Sequence, residues 1–168
     1  MPIKTKIVNG LKHFEHEDEN EDKVKLGVDS NVFIELFESK ITLEEYKRLG
    51  YAIYAHQKCF EELSKYLKNL NPNKDNHEIK KEVDEFMLKN DIYFACEEVD
   101  QKERKKFENK CKSRGIDCHY PDSEILLSYK NEDIEVICSN DKGFKESAQQ
   151  IDMDALGFKI NKENKKWK

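Results

Sequence analysis

The sequence predicts an α/β fold: a three-layer α/β/α sandwich with a central parallel sheet of four or five strands. Strand-like and helix-like segments alternate along nearly the whole chain, and the strand-like segments are short and apolar on both faces. They are also too far apart in sequence to pair as hairpins, so helices must connect them. With 168 residues, the chain is long enough for one well-cored domain.

The first half of this domain contains two predicted strands and three predicted helices. The apolar run VKLGVD predicts a buried strand, and the segment SNVFIELFES after it has apolar residues at helical spacing. In TLEEYKRLG, Thr42 and Glu45 form a capping-box pattern, which predicts a helix with Thr42 as its N-cap and Gly50 as its C-cap. The segments that follow predict a second strand, YAIYA, and a helix, QKCFEELSKYLKNL.

The second half continues the alternation. HEIKKEVDEFMLKN and the basic segment 101–114 predict helices on either side of a third strand, DIYFAC. PDSEILLSYKNE predicts a helix with Pro121 in its first turn, where the missing N–H has no helical partner to lose. The remaining segments predict a fourth strand, IEVICS, a helix, KGFKESAQQ, and a candidate fifth strand, GFKI, at 157–160.

Composition and charge divide the chain into an acidic extension at 1–23, a folded domain at 24–160 and a basic tail at 161–168. Hydrophobic residues make up 37% and charged residues 39%, which is typical of a soluble globular protein. No segment reaches the roughly 18 to 20 apolar residues of a membrane span, and the N-terminus has no signal-peptide pattern. Five cysteines without a pairing motif predict reduced thiols, so we expect a cytoplasmic protein with no membrane partner.

The charges are unevenly distributed, although the formal net charge is −5. Residues 14–22 are strongly acidic, whereas residues 102–114 are strongly basic. A local basic patch can attract nucleic acid even on an acidic protein, so we expect nucleic-acid phosphates to contact this helix. The predicted contacts are Lys102, Arg104, Lys105 and Lys106. A solvated helix face with no ligand is the alternative interpretation of the same residues.

Several acidic side chains are expected at one edge of the predicted sheet. Asp29 and Asp141 each follow an apolar strand, Asp122 opens an apolar helix, and Glu62 lies on a helix among apolar residues. Ligands of open α/β sheets bind beyond the carboxyl ends of the strands. Carboxylates that meet there repel one another, and a hard divalent cation such as Mg²⁺ or Mn²⁺ relieves this repulsion. Such a site performs metal-assisted phosphodiester hydrolysis.

Each acid taken alone has a simpler interpretation. Asp29 could be the N-cap of the helix that follows it, and Asp122 could be a first-turn partner of its helix dipole. Glu62 could be a solvated helix residue, with Glu61 beside it competing for any role, and Asp141 could be a turn residue. The combination of the four favours a common site.

Four short motifs occur in order between residues 24 and 160. GVDSNVFIE has Asp-x-Asn at the end of an apolar strand, and CFEELSKYL has a Glu-Leu pair in the helix after the second strand. YPDSEILLSY has an Asp that opens an apolar helix, and VICSNDKGF has Ser-x-Asp with a Phe three residues after the Asp. In order and spacing these motifs resemble the signature of the PIN-domain ribonucleases.

The resemblance implies an Mg²⁺- or Mn²⁺-dependent endoribonuclease with RNA as its substrate. It implies a catalytic metal site formed by Asp29, Glu62, Asp122 and Asp141. It also implies that Asn31 and Ser139 hold these carboxylates by hydrogen bonds. The pattern departs at Gly143, where many relatives carry a second Asp, so a metal role is absent at that position. An antitoxin, another protein or a second copy of the chain are the expected protein partners.

The main alternative is a PIN-like module that binds RNA or a protein without cutting. An inactive module has no reason to keep four mutually repelling acids, which favours the enzyme. A phosphatase-type domain with Asp29 as its nucleophile would need an acid two residues later, where Asn31 stands. The extension at 1–23 and the helix near 77–90 exceed the compact toxin-type members. The sequence leaves open whether the role is in a toxin–antitoxin pair, RNA processing or RNA decay.

Overall fold

The computed structural model describes residues 4–8, 11–15, 23–95 and 97–158. Its strands are β1 (Lys4–Val8), β2 (Leu11–Glu15), β3 (Val24–Val28), β4 (Tyr51–His56), β5 (Tyr93–Ala95), β6 (Val136–Cys138) and β7 (Asp154–Leu156). Its helices are α1 (Ser30–Glu38), α2 (Lys40–Arg48), α3 (Gln57–Leu70), α4 (Asn76–Lys89), α5 (Gln101–Ser113), α6 (Asp122–Asn131) and α7 (Lys142–Gln149). Strands β3 to β7 form one parallel sheet in the order β5–β4–β3–β6–β7. The predicted parallel sheet of four or five strands is confirmed.

Each face of the sheet carries its own hydrophobic core. Side chains alternate between the faces along a strand, and in β4 Ile53 and Ala55 point to one core while Ala52 and Tyr54 point to the other. Helices α1 to α4 supply the first core, and helices α5 to α7 supply the second. The protein is therefore the three-layer α/β/α sandwich that the sequence predicts.

The central strand β3 packs very closely against helix α6. A Cβ atom at Gly27 would lie 2.5 Å from Cδ2 of Tyr129, so only glycine admits the tyrosine ring at this position. The Tyr129 hydroxyl donates a hydrogen bond to the Val28 carbonyl at 2.6 Å and accepts one from the His56 N–H at 3.0 Å. One fully buried side chain thus ties the carboxyl ends of β3 and β4 to α6.

Two predicted helix starts are wrong, one by three residues and the other by one. Helix α2 begins at Lys40, so Ser39 and not Thr42 occupies the N-cap position. The Ser39 and Thr42 hydroxyls bond to each other at 2.7 Å, and both residues are completely buried. Pro121 lies one residue before α6 and not in its first turn.

The predicted fifth strand is also misplaced. The structure has β7 at Asp154–Leu156, and its register pairs Val136 with Asp154 and Cys138 with Leu156. The predicted segment 157–160 begins only after this strand, and its last two residues lie outside the described part of the chain. The position of this short edge strand is therefore set by its pairing with β6 and not by the apolar content of the segment.

Only part of the two predicted terminal segments lies within the described residues. Within 1–23, β1 and β2 pair antiparallel in a two-stranded sheet that is separate from the main one. The predicted basic tail at 161–168 lies outside the described residues. Among the helices that the structure describes, none combines the length and the apolar character that crossing a bilayer requires.

Candidate functional site

The order of the strands creates a crevice between β3 and β6. From β3 the chain proceeds to β4 and β5 on one side, and later to β6 and β7 on the other side. The connections between the strands therefore lead in opposite directions from β3 and β6. Such a reversal in strand order is a topological switch point, and open α/β sheets bind ligands there. Asp29 follows β3 directly, and Ser139, Asn140 and Asp141 follow β6.

Asp29 is a buried carboxylate and the N-cap of α1. Its Oδ1 accepts a hydrogen bond from the Val32 N–H at 2.8 Å, and only 7% of the residue is exposed. Burial raises the pKa of Asp29 above its usual value, and the negative charge of Asp141 adds to this effect. Hydrogen bonds from Ser139 and Val32 act in the opposite direction. The cap interpretation of Asp29 is therefore correct, but it describes only one of the two carboxylate oxygens.

Ser139 joins Asp29 to the start of α7. Its hydroxyl donates a hydrogen bond to Asp29 Oδ2 and accepts one from the Asp141 N–H at 2.9 Å. Asp141 in turn is the N-cap of α7, and its Oδ1 accepts from the Phe144 N–H at 2.9 Å. The carboxylates of Asp29 and Asp141 are thus anchored on one hydroxyl group across the crevice.

Asp122 completes a set of three acids that influence one another. It is the first residue of α6 and is partly buried. Burial raises the pKa of Asp122 to about 6, and the negative charges of Asp141 and Asp29 contribute, while His119 opposes the rise. The structure thus brings three of the four predicted acids within electrostatic reach at the same edge of the sheet.

A cleft of about 340 Å³ opens at this edge. Two of the three acids line it, together with Asn31 and four residues for which the motifs predict no role. Its lining is Asp29, Asn31, Val32, Glu35, Asn140, Asp141 and Phe158. Glu35 lies one helical turn after Asn31 on the same face of α1, so its i,i+4 spacing was a usable signal. Asn140 bonds to the Phe158 backbone through both side-chain atoms, at 2.8 Å and 3.1 Å.

Glu62 on α3 and Asn31 on α1 both have exposed side chains. The Glu62 side chain is 48% exposed, and its Oε1 lies 3.7 Å from Nζ of Lys65, one turn further along α3. The Asn31 side chain is exposed at the cleft, whereas its backbone N–H is the group that acts on the Asp29 carboxylate. Glu62 thus pairs with Lys65, whereas Asn31 lines the same cleft as Asp29 and Asp141.

Gly143 is the position at which the resemblance to PIN-domain proteins would place an additional acid. A Cβ atom at this position would lie 2.6 Å from the backbone carbonyl oxygen of Asp117. The loop before α6 therefore occupies the space of a side chain. This contact gives a physical reason for glycine at position 143.

The predicted RNA-contacting residues on α5 fall into two groups. Lys102, Lys105 and Lys106 are exposed, as a phosphate contact requires. Arg104 is half-buried, and its guanidinium lies 2.5 Å from the Glu108 carboxylate. Arg104 also donates to Gln101 at 2.7 Å, so its charge is engaged within the protein.

The donor set suits a hard divalent cation, although the site is not preassembled. Among the described residues, no three His, Cys, Asp or Glu side chains are grouped closely enough to hold one ion. Each carboxylate nevertheless offers about four acceptor positions, and the caps of Asp29 and Asp141 leave some of these free. A cation is also the ligand that relieves the desolvation and repulsion which raise the pKa values of Asp29 and Asp122.

Comparison of the chain with protein-family models gives no match, and comparison with curated proteins gives none either.

Proposed function

We propose that the chain is a divalent-metal-dependent endoribonuclease of the PIN-domain type, which hydrolyses RNA phosphodiester bonds. The observation that carries this proposal is that Asp29, Asp122 and Asp141 lie within electrostatic reach of one another at the carboxyl edge of the sheet. Ordinary helix caps are exposed, whereas Asp29 is buried and the pKa of Asp122 is raised to about 6. Acids whose charged form is destabilised by burial and by neighbouring negative charges are typical of sites that bind a cation.

The carboxylates of Asp29, Asp122 and Asp141 would hold Mg²⁺ or Mn²⁺. The bound ion would supply a water of lowered pKa and would neutralise charge on the phosphoryl oxygens. Ser139 fixes the orientation of Asp29 through its hydroxyl and the position of Asp141 through the Asp141 backbone. The residues of the protein thus orient the donors, and the crevice between β3 and β6 receives the phosphodiester.

RNA as the substrate follows from the resemblance to PIN-domain ribonucleases and from the exposed lysines of α5. The four cysteines that the structure describes are free and buried, which is compatible with a reducing compartment, so a cytoplasmic setting is part of the proposal. An antitoxin or another protein partner, and a second copy of the chain, remain proposals that accompany the ribonuclease.

The decisive experiment measures cleavage of labelled single-stranded and structured RNAs with Mg²⁺, with Mn²⁺ and with EDTA. We expect cleavage only with metal, and a loss of about a hundredfold or more in Asp122→Asn and Asp141→Asn. Asp100→Asn is the matched control, since Asp100 is an exposed acidic N-cap whose carboxylate accepts from Lys102 N–H at 2.8 Å. Equal activity in all three variants would remove the basis for the site.

Glu62 requires its own variant because its side chain is exposed and pairs with Lys65. We expect Glu62→Gln to reduce cleavage less than Asp122→Asn does, since the Glu62 side chain is exposed and paired with Lys65. The exposed position of Glu62 is also the observation that favours the second candidate function, a PIN-like module that binds without cutting. RNA binding with no metal-dependent cleavage of any RNA would establish that second function.

A further inference from the structure

Tyr120 is an exposed aromatic side chain beside the acidic site. It is 48% exposed and lies two residues before Asp122. Two residues of chain span at most roughly 7 Å, so the Tyr120 backbone lies close to Asp122. The ring contacts Lys58 in the first turn of α3, which begins at the carboxyl end of β4 and therefore at the same edge of the sheet as Asp29. Exposed aromatic rings beside basic groups are the platforms on which proteins stack the bases of single-stranded nucleic acid.

Two cations from different helices flank this ring. Nζ of Lys58, from the first turn of α3, lies 5.3 Å from the centre of the Tyr120 ring. The guanidinium carbon of Arg104, from α5, lies 5.4 Å from the same centre. Both distances are within the range of cation–π attraction, which holds the ring in a defined position.

The two cations differ in how easily they can exchange partners. Arg104 and Glu108 form a well-shielded pair, with side chains 15% and 23% exposed, and Ser123 also donates to Glu108. Lys58 and Glu61 form a more open pair at 3.5 Å, with side chains 28% and 44% exposed. Lys58 also forms a hydrogen bond with the Tyr120 side chain. Partly exposed ion pairs contribute little to stability, so Lys58 can exchange these two contacts for a phosphate more easily than Arg104, which stays as a fixed support.

We infer that Tyr120, Lys58 and Arg104 form a nucleotide-binding platform for single-stranded RNA. Tyr120 stacks on a base, Lys58 contacts the adjoining phosphate, and Arg104 holds the ring in place. The platform lies next to Asp122 and therefore positions the nucleotide that neighbours the scissile phosphodiester. This inference rests on the proposed function for the identity of its ligand.

The test measures binding of the full chain to a short fluorescent single-stranded RNA in EDTA, by anisotropy. We expect Tyr120→Leu to weaken binding by about tenfold and Tyr120→Phe to retain most of it, because stacking requires a flat ring. An RNA with one abasic position at the stacked nucleotide should bind the parent more weakly and should not distinguish the parent from Tyr120→Leu. A merely structural role of Tyr120 would not respond to removal of a base. Thermal melts of the variants confirm that they fold, as an exposed position allows.

Lys65, on the same helix as Lys58, provides a matched control for removal of the Lys58 charge. Lys58→Ala should reduce the slope of log affinity against log salt by about 0.7, as expected for one lost phosphate contact to a single strand. Lys65→Ala removes an equally charged side chain, 74% exposed, and should leave the slope unchanged. Equal slopes for both variants, or unchanged affinity in Tyr120→Leu, would overturn the platform. A preference for double-stranded RNA would overturn it as well.

Failure of the platform can be separated from failure of the proposed enzyme. Hydrolysis of bis(p-nitrophenyl) phosphate with Mn²⁺ reports the chemistry alone, since this small ester does not need a stacked base. Hydrolysis that persists in Tyr120→Leu while RNA affinity drops supports the platform. Hydrolysis that persists with no change in RNA affinity refutes only the platform. RNA affinity that depends on Tyr120, in a chain that cleaves neither substrate, supports the platform and refutes the enzyme.

Discussion

Asp29 and Ser139, 110 residues apart in sequence, are joined by a hydrogen bond from the serine hydroxyl to the buried carboxylate. The same hydroxyl accepts from the Asp141 N–H at 2.9 Å, so it is both donor and acceptor. This arrangement links the N-terminus of α1 to that of α7 across the crevice between β3 and β6. The position of the proposed metal ligands therefore depends on a residue that binds no metal itself.

Ser139→Ala should destabilise the protein by about 1–3 kcal/mol, because it leaves a buried carboxylate oxygen and a backbone N–H without their partner. The pKa of Asp29 should rise further, since the Ser139 hydrogen bond is the largest contribution that opposes the effect of burial. Urea unfolding measures the first effect, and carboxyl ¹³C titration measures the second. Ser147→Ala is the control, since that buried hydroxyl bonds to the Gly143 carbonyl at 2.6 Å and to the Cys118 thiol, and to neither Asp29 nor Asp141. An equal loss of stability in both variants, with an unchanged Asp29 titration, would contradict the bridging role.

Asp122 should make stability depend on pH in metal-free buffer. Its pKa rises from 3.8 to about 6 on folding, so the folded state binds the proton more tightly than the unfolded state. The free energy of unfolding should therefore fall as the pH rises from about 4 to about 6, and should stay lower at pH 7. Asp122→Asn should remove this part of the pH dependence and should raise the free energy of unfolding by about 1 kcal/mol at pH 7. This value is smaller than the full pKa shift would give, because solvent screens a partly exposed carboxylate.

The comparison between the parent and Asp122→Asn is the informative one, because Asp84 titrates in the same window. Burial raises the pKa of Asp84 to about 6 as well, so the parent and the variant should share that part of the slope. If Asp122 acts only as a partner of the α6 dipole, the variant should be less stable at neutral pH, not more stable. The two interpretations of Asp122 therefore differ in the sign of the change.

Mg²⁺ or Mn²⁺ should raise the melting temperature of the parent, since a ligand of the native state stabilises it. The gain is about 2.7 kcal/mol at a metal concentration of a hundred times Kd. Asp141→Asn should show a much smaller gain because one donor is weakened, whereas Asp100→Asn should respond as the parent does. Differential scanning fluorimetry with and without EDTA measures the shifts. Identical shifts in the parent and in Asp141→Asn would show that the ion binds elsewhere.

Gly27→Ala should destabilise the protein by about 1–3 kcal/mol through overpacking. The new methyl group would lie 2.5 Å from the buried Tyr129 ring, which is held by hydrogen bonds to β3 and β4 and cannot withdraw. Gly157→Ala is the matched control, since its Cβ would meet only Asn140 Oδ1, at an ordinary 3.6 Å. Thermal denaturation of both variants measures the difference. A Gly27→Ala protein as stable as Gly157→Ala would show that α6 can shift away from the sheet.

Residue patterns predicted most of the secondary structure, since apolar periodicity follows directly from burial on the two faces of the sheet. The misplaced fifth strand shows the limit of what apolar periodicity can predict. β7 contains an Asp and only three residues, and its place is defined by hydrogen bonds to β6 that no local pattern carries. The start of α2 was missed for a similar reason, since Ser39 and Thr42 are equally plausible N-caps until their hydroxyls are seen to bond to each other.

The acidic site was predicted in part for the same physical reason. Asp29 and Asp141 follow buried strands, and in a parallel sheet the carboxyl ends of the strands must share one edge, so the sequence places them there. The exposure of Glu62 was not predictable, because only the packing of α3 on the sheet decides which side of that helix faces solvent.

The sequence by itself determined the class of the fold and the chain order of the acids, since both depend on local burial and spacing. Tertiary structure decided the rest. It set the neighbours of β3, the hydroxyl that joins Asp29 to Asp141, and the two cations beside Tyr120. These are contacts between residues distant in sequence, and their energies arise from close approach in space, which no single segment of the chain encodes.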